Sequence, residues 1–200
     1  MTVKERVFVT GGTGFIGSHL VRKLTRLGHE VTVLARPTSS LRFLPEKRVT
    51  VTTGDVCSPD GVNRGMTGCS IVFHNAALTT DWGQKRDFYS INIGGTKNVL
   101  EAARKQGVKL VVLTSTIGVM GEEDCTVSKR EDIPYRPRIP YFLSGLVESG
   151  MNHYRVTKTQ AERLSIEFCR EHGIDLVVIR PAWVYGPREF HAGPYLFCRA

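Results

Sequence analysis

Residues 10–17, TGGTGFIG, form a glycine-rich segment between a short apolar run and the start of a helical pattern. A chain that turns sharply from a strand into a helix needs glycine at the bend, and a pyrophosphate touches backbone only where no side chain intervenes. The first N–H groups of the helix add hydrogen-bond donors and the positive end of the helix dipole. The segment therefore predicts a dinucleotide site built from Gly11, Gly14, Phe15, Ile16 and Gly17. The alternative is a turn-rich loop that binds nothing.

The rest of the chain alternates short β-branched runs with longer helical patterns. Strands are predicted over residues 6–10, 30–34, 49–52, 71–73, 109–114 and 175–179, and helices over 16–27, 85–106 and 151–172, with a shorter connection near 60–66. Most of the strands are apolar almost throughout, as strands buried on both faces are. The sequence therefore predicts the α/β class, with a doubly wound parallel sheet of the Rossmann type in one dinucleotide-binding domain over residues 1–200.

The net charge of +8 is concentrated in the first quarter of the chain, where nine Lys and Arg stand against three Asp and Glu. No basic run with interleaved aromatic residues accompanies it, so nucleic acid is not predicted as a partner. A phosphate-rich small ligand accounts for the asymmetry better. A solvated basic helix face at Arg22, Lys23 and Arg26 accounts for part of it.

The cysteines and the hydropathy of the chain exclude several classes of protein. The five cysteines are scattered and form no Cys-x-x-Cys pair, so neither a disulfide framework nor a metal site is predicted. No apolar run approaches the length of a membrane span, and the N-terminus shows no secretory signal pattern. A cytoplasmic location is the resulting expectation.

The end of the second predicted strand bears on the choice of cofactor. A carboxylate about twenty residues after the glycines would bind the adenosine ribose and favour NAD, whereas an arginine there favours the 2′-phosphate of NADP. This chain has Arg36, with Ser39 and Ser40 close behind it. NADP is therefore favoured over NAD. If Arg36 merely stacks on adenine, either cofactor would be accepted.

Tyr154 and Lys158 stand four residues apart in the last predicted helix, on one face. The ammonium is expected to lower the pKa of the phenol from its usual value of about 10, which suits a general acid or base for an alcohol/ketone pair. The strand over residues 109–114 ends in Thr114, Ser115 and Thr116 at the edge where parallel sheets bind ligands. Taken alone, the Tyr-x-x-x-Lys spacing is also that of an ordinary surface pair.

Seven segments occur together in the order typical of one family. They are TGGTGFIGSHL, GDV (residues 54–56), HNAA (74–77), INIGGTKNVLEAA (91–103), TSTIGVMG (114–121), YRVTKTQAE (154–162) and RPAWVYGP (180–187). Jointly they resemble the extended short-chain dehydrogenases/reductases, the NAD(P)-dependent epimerase/dehydratase family, over nearly the whole chain.

The resemblance implies a Ser/Thr–Tyr–Lys triad. In the family pattern that ends in Val-Tyr-Gly, the catalytic hydroxyl lies five residues before the final glycine. Counting back from Gly121 gives Thr116, with Ser115 as the second candidate, and Tyr154 and Lys158 complete the triad. Met120 stands where the family pattern has tyrosine, which puts the neighbouring pocket contacts in doubt.

The resemblance also assigns the remaining cofactor contacts. It places Asp55 and Val56 beside the adenine, Ala76, Ala77 and Thr114 along the path to the nicotinamide ribose, and Pro181 and Val184 near the nicotinamide; Tyr154 and Lys158 also contact the cofactor. Asp55 could instead be a turn or helix-capping residue. Asn92 resembles a position whose amide ties its helix to a neighbouring strand end.

Family members continue well beyond the RPxxVYGP motif, so the substrate-binding region is expected to be absent here or only begun near residues 188–200. The long stretch over residues 134–150, with Tyr135, Tyr141, Phe142 and Leu143, is predicted to be either a lid over the nicotinamide or a surface loop with a hydrophobic anchor.

Three functions remain open from the sequence. The first is an NADP-linked reductase or dehydrogenase acting on a carbonyl/alcohol pair, which the apolar loop slightly favours. The second is a nucleotide-sugar epimerase or dehydratase, and the third is a non-catalytic dinucleotide-binding scaffold. The partner predicted is a small-molecule substrate, and a homodimer is compatible with the resemblance.

Overall fold

The computed structural model describes residues 4–80, 83–121, 130–132, 134–137 and 150–189. Its strands are β1 (Arg6–Thr10), β2 (Glu30–Ala35), β3 (Val49–Thr53), β4 (Ile71–His74), β5 (Leu110–Thr114) and β6 (Asp175–Ile179). Its α-helices are α1 (Phe15–Arg26), α2 (Pro59–Met66), α3 (Lys85–Phe88), α4 (Gly95–Gln106) and α5 (Gly150–His172). A π-helical segment, Tyr89–Gly94, joins α3 to α4, and a 3₁₀ turn, Ile117–Met120, follows β5. The predicted elements are confirmed with ends that shift by one residue at most positions.

The strands form one sheet in the order β3-β2-β1-β4-β5-β6, and every neighbouring pair is parallel. The predicted doubly wound sheet is therefore confirmed. The chain moves outward from β1 to β3 and then returns to β4 on the other side of β1. The strand order thus reverses between β1 and β4, and in such sheets ligands bind beyond the carboxyl ends of the strands at this crevice.

Alternating residues of β1 belong to two separate apolar clusters, one on each face of the sheet. Phe8 packs with residues of α2 and α4, including Val62 and Leu100. Val7 and Val9 pack on the opposite face with residues of α1 and β2. All three side chains of β1 are fully buried, which explains why the strand sequence is apolar without alternation.

The predicted helix over residues 85–106 is continuous but not α-helical throughout, because its middle six residues form the π-helical segment. A π turn holds one extra residue and changes the direction in which nearby side chains point. Asn92, inside this segment, is buried and bonds both the N–H and the carbonyl of Leu78, at 2.7 and 3.2 Å. Its amide also reaches the Thr157 hydroxyl at 3.0 Å. Asn92 thus ties its helix to the segment that follows β4 and to α5, whereas the resemblance implied a strand end.

Across the residues that the structure describes, no helix combines the length and the apolar character that crossing a membrane requires.

Candidate active site

The glycine-rich loop connects β1 to α1 at the point where the strand order reverses. A side chain on Gly11, whose φ is +67°, would place its Cβ 2.8 Å from the backbone nitrogen of Ala76. A Cβ on Gly17 would lie 2.1 Å from the carbonyl oxygen of Gly11. Both glycines are therefore required by the packing of the loop itself. A Cβ on Gly14 would meet only the Gly11 oxygen, at 3.4 Å, so this glycine faces open space.

The N-terminus of α1 offers unpaired donors beside Gly14. Gly14 is the N-cap residue, no side chain caps the helix, and the first turn contains no acidic residue. The first N–H of the helical ladder is that of Ser18, which bonds the Gly14 carbonyl at 2.9 Å. The N–H groups of Phe15, Ile16 and Gly17 precede this ladder. Open backbone and free N–H groups at a helix N-terminus fit a pyrophosphate.

Arg36 directly follows β2 at the carboxyl edge of the sheet, and its side chain is exposed. Asp55 and Val56 follow β3 at the same edge. The Asp55 carboxylate accepts the N–H of Cys57 at 2.8 Å, which is the contact of a turn residue. Val56 is buried in the core, and its carbonyl accepts the amide of Asn98 at 2.9 Å.

The chain that follows β4 packs against the glycine-rich loop. The N–H of Ala76 donates to the Thr10 hydroxyl at 3.2 Å, and both Ala76 and Ala77 are partly buried. The Thr114 hydroxyl at the end of β5 donates to the side-chain oxygen of Asn75. The carboxyl ends of β1, β4 and β5 are thus joined side by side. Of the predicted residues, Ala76 bonds the last residue of β1, and Thr114 bonds the residue that follows β4.

The two candidate catalytic hydroxyls have different partners. Ser115 is buried, and its hydroxyl donates to the carboxylate of Glu162. Thr116 caps the 3₁₀ turn, where its hydroxyl accepts the N–H of Gly118 at 3.2 Å. Thr116 also lies close enough to Tyr154 for its side chain to lower the pKa of the phenol. The structure therefore brings Thr116, and not Ser115, to the phenol.

Tyr154 and Lys158 lie on α5, which packs along the carboxyl end of β5. Burial raises the pKa of Tyr154 above its ordinary value, although the Thr116 side chain and the charge of Arg155 act against this. The net shift is opposite to the lowering expected from Lys158. Burial also lowers the pKa of Lys158, to about 8, with Glu162 acting in the other direction. The ammonium donates to the Thr114 carbonyl at 2.6 Å, so in this arrangement it is engaged with backbone.

The segment that follows β6 returns to the start of α1. The Pro181 carbonyl accepts the N–H of Ile117 at 2.9 Å, which attaches the segment to the turn after Thr116. Val184 is 45% exposed. Further along, the carbonyl of Pro187 lies 2.9 Å from His19 Nε2 on α1. One segment therefore connects the proposed catalytic hydroxyl with the helix that begins at the phosphate loop.

Residues 7–197 match the sequence model of the NAD dependent epimerase/dehydratase family. The chain belongs to this family. The resemblance inferred from the seven sequence segments is confirmed. The description of the family names NAD, so the prediction of NADP or NAD as the cofactor is also confirmed for the family.

Two curated relatives and one solved structure show which proteins this epimerase/dehydratase-family chain is similar to. It is 30% identical to 2-alkyl-3-oxoalkanoate reductase of Shewanella oneidensis over 98% of the chain and 49% of the relative. It is 33% identical to 3-beta-hydroxysteroid dehydrogenase of Mycolicibacterium neoaurum over 90% of the chain and 48% of the relative. The structure of Thermus thermophilus UDP-glucose 4-epimerase in complex with NAD matches with a TM-score of 0.79 and 32% identity, over 94% of this chain and 58% of that one. The chain thus spans about half the length of the curated relatives that it matches.

Three residues of this family member that contact the predicted site were missed by sequence reasoning. They are Asn75, Glu162 and Arg180. Glu162 bonds Ser115, Tyr135 and Arg180, and the guanidinium groups of Arg163 and Arg180 lie 4.8 and 5.5 Å from the centre of the Tyr135 ring. Glu162 follows Lys158 by four residues, and this spacing was the available signal.

Tyr135 bonds Glu162 on α5 and Arg180 after β6, which is the contact expected of an anchored surface loop. The lid over the nicotinamide stays a prediction. Tyr141, Phe142 and Leu143 lie outside the described residues. No group of three or more metal-binding side chains occurs within the described ranges.

Proposed function

We propose that the chain carries the cofactor site and the proton-transfer residues of an NAD(P)-linked oxidoreductase that acts on a carbonyl/alcohol pair. The observation that carries this proposal is the position of Thr116 beside Tyr154, close enough for its side chain to lower the pKa of the phenol. It lies at the carboxyl edge of the sheet, with Lys158 buried one helical turn further along α5. A scaffold that only binds a nucleotide has no need of a phenol, a hydroxyl and an ammonium gathered there.

Two groups of residues would hold the dinucleotide. The backbone from Gly11 to Gly17 would bind the pyrophosphate, and Arg36 would bind the 2′-phosphate of NADP, with Asp55 and Val56 beside the adenine. Ala76, Ala77, Thr114, Pro181 and Val184 would line the nicotinamide half. When bound, the nicotinamide donates or accepts the hydride that the substrate carbon gains or loses.

The residues of this chain would move the matching proton. In reduction, the Tyr154 phenol donates its proton to the substrate oxygen, while the Thr116 hydroxyl binds that oxygen and orients it. The raised pKa of Tyr154 keeps the phenol protonated for this direction. In oxidation the phenol must lose its proton first. The Lys158 ammonium would then stabilise the phenolate, and it would also hold the ribose hydroxyls of the cofactor.

A second function is favoured by the similarity to a UDP-glucose 4-epimerase. A nucleotide-sugar epimerase or dehydratase uses the same proton donor but returns the hydride to the sugar. The two functions differ in one measurable outcome, because a dehydrogenase accumulates reduced cofactor in the presence of its alcohol and an epimerase does not. The names of the two curated relatives, a reductase and a dehydrogenase, support the first function.

The most informative experiment compares thermal stabilisation by oxidised and reduced NAD and NADP. A ligand that binds only the folded state raises the melting temperature by mass action. We expect stabilisation by at least one of the four dinucleotides, and the strongest by one of the two NADP forms. No stabilisation by any of them at millimolar concentration would contradict the proposed cofactor site. The cytoplasmic location, the homodimer and the exclusion of nucleic acid stay predictions.

A further inference from the structure

Glu162 is a buried carboxylate that the proposed chemistry does not use. It follows Tyr154 and Lys158 at intervals of four residues, so the three side chains lie along one face of α5. Glu162 is fully buried, whereas Glu167 on the same helix is exposed. Burying a carboxylate is costly unless hydrogen bonds and opposite charges compensate it. The residues that bond the Glu162 carboxylate therefore indicate its role.

Three segments of the chain supply hydrogen bonds to this carboxylate. One oxygen of Glu162 accepts the Tyr135 hydroxyl at 2.8 Å and two nitrogens of Arg180 at 3.0 and 2.5 Å. The other oxygen accepts the Ser115 hydroxyl. Arg180 in turn donates to the Glu131 carbonyl at 2.9 Å. Because charged hydrogen bonds from a guanidinium have a fixed geometry, the carboxylate fixes where these segments meet.

The partners of Glu162 are direct neighbours of the proposed catalytic residues. Ser115 lies between Thr114, whose carbonyl accepts the Lys158 ammonium at 2.6 Å, and Thr116, the proposed catalytic hydroxyl. Arg180 directly follows Ile179, the last residue of β6 that pairs with β5. A displacement of Ser115 or Arg180 would therefore move the hydroxyl and the carbonyl that orients the ammonium.

We propose that Glu162 is a positioning residue, whose carboxylate clamps the ends of β5 and β6 against α5 and supplies the negative charge that keeps Lys158 an ammonium. This role rests on the proposed function, because it matters to the reaction only if Lys158 and Thr116 serve it. The geometry of the clamp and the charge on Lys158 are nevertheless properties of the chain without a ligand.

The charge on Lys158 depends on few neighbours among the described residues. His74 on β4 stays neutral, since burial together with the Lys158 charge lowers its pKa to about 3. Tyr154 on α5 is also neutral, because its pKa is raised. On the far side of Glu162 stand Tyr135 and the Arg180 cation of the segment after β6.

Glu162 is thus the carboxylate that opposes the effect of burial on Lys158, whose pKa is about 8. Burial raises the pKa of Glu162 itself, but its hydrogen bonds from Arg180, Ser115 and Tyr135 outweigh burial and keep the group ionised. Removing its charge leaves the buried ammonium without the carboxylate that opposes the effect of burial.

The test is a pH titration of Lys158 by NMR in the chain without cofactor, using isotope-labelled lysine side chains and assigning the signal with Lys158→Met. In Glu162→Gln we expect the midpoint to fall by about one pH unit or more, the scale of one lost opposite charge nearby. In the double variant Glu162→Gln, Arg180→Gln, which removes both charges of the buried pair, we expect the midpoint to fall as well. A merely structural contact would move neither midpoint.

Glu167→Gln is the matched control, because it removes an exposed carboxylate from the same helix and should leave the Lys158 midpoint unchanged. An unshifted midpoint in folded Glu162→Gln would overturn the proposal. If that variant does not fold, the double variant decides alone, because removing both partners of a buried ion pair leaves no unpaired charge, and a midpoint that stays or rises overturns the proposal.

A second readout is the affinity for reduced NADP measured across the same pH range. Glu162→Gln should lose affinity at a lower pH than the native chain, so that its affinity is about fivefold weaker near pH 8 and approaches tenfold weaker at higher pH, the ratio that corresponds to one unit. If the native chain binds no dinucleotide, the proposed function fails, while the titration of Lys158 still decides the role of Glu162.

Discussion

The Nζ atom of Lys158 donates a hydrogen bond of 2.6 Å to the backbone carbonyl of Thr114. This bond joins α5 to the carboxyl end of β5 and holds the ammonium, almost fully buried, at the edge of the sheet. The side chain is therefore oriented before any ligand binds. A cofactor that hydrogen-bonds Lys158 would meet a group that has already lost its conformational freedom, which favours binding.

Lys158→Met should weaken cofactor binding and abolish turnover together, because one side chain serves both. Loss of a charged hydrogen bond corresponds to about 1.5–3 kcal/mol of binding free energy. Calorimetric titration of the native and variant chains with NADP measures this difference. Folding should be preserved, since methionine fills a similar volume without a buried charge. Unchanged affinity in a folded Lys158→Met chain would remove Lys158 from the cofactor site.

Tyr154→Phe should lower turnover with a competent substrate by roughly 10²- to 10⁴-fold, the range for a lost general acid. Cofactor affinity should hardly change, because the ring and its packing remain. Steady-state kinetics and a cofactor titration separate the two effects. Tyr185→Phe is the control. It removes the same hydroxyl from a tyrosine that is 83% exposed. Full activity of Tyr154→Phe would show that the phenol is not the proton donor.

Gly14→Val should abolish dinucleotide binding in a folded chain. A Cβ at Gly14 meets only the Gly11 oxygen, at 3.4 Å, so the valine would project toward the space assigned to the pyrophosphate. Gly17→Val is the informative contrast, because its Cβ would lie 2.1 Å from the same oxygen and must disrupt the loop. Circular dichroism and cofactor titration should therefore find Gly14→Val folded but unable to bind, and Gly17→Val destabilised. Undiminished binding by Gly14→Val would refute the assignment of the loop.

The central strands of the sheet were predictable because they are buried on both faces. Val7, Phe8 and Val9 all face a core, so the run is apolar without a break, and the same holds for Val111 to Leu113. The spacing of the strands along the chain, together with the glycines between β1 and α1, indicates that the strands are parallel. The π-helical segment, in contrast, could not be predicted. It depends on the contacts that Asn92 makes with Leu78 and Thr157, which are distant in sequence.

The candidate site was predictable where its residues lie close together in the sequence. It was not predictable where hydrogen bonds join residues that are distant in the sequence. Tyr154 and Lys158 share one helix face, and Thr116 follows the end of β5. Glu162 was missed because a charged residue in a helix ordinarily faces solvent. The direction of the Tyr154 pKa was also mispredicted, since spacing indicates the nearby ammonium but not the burial that outweighs it.

Arg36→Ala should weaken NADP binding by about 1.5–3 kcal/mol, the scale of a charge-assisted hydrogen bond, and barely affect NAD. Arg36 is exposed at the end of β2, where no acid stands to bind the ribose. Lys47→Ala removes an equal charge from the same basic quarter and should change neither affinity. Equal losses for NADP and NAD in Arg36→Ala would exclude recognition of the 2′-phosphate.

His74 lies in a buried chain of hydrogen bonds that holds it neutral. Its Nε2 lies 2.9 Å from the Thr96 hydroxyl, which donates its own proton to the Asn92 carbonyl at 2.6 Å. Nε2 therefore carries the ring proton and donates it to Thr96. Nδ1, 2.7 Å from the Thr10 hydroxyl, is then the acceptor. Burial, with a contribution from the Lys158 charge, lowers the pKa of His74 from 6.5 to about 3.

This pKa predicts how the free energy of unfolding depends on pH. Between pH 6.5 and about 3 the unfolded chain binds a proton at His74 that the folded chain does not, so stability should fall as the pH is lowered. The slope from this group is about 1.4 kcal/mol per pH unit, and the stabilisation is fully present above pH 6.5. Urea denaturation should be compared for the native chain and His74→Asn from neutral pH to pH 5. The variant should be less stable near neutrality, and its free energy of unfolding should depend less steeply on pH, by about that slope. His172→Asn, at the exposed end of α5, should keep the native slope. Parallel curves for native and His74→Asn would show that His74 titrates alike in the folded and unfolded chains.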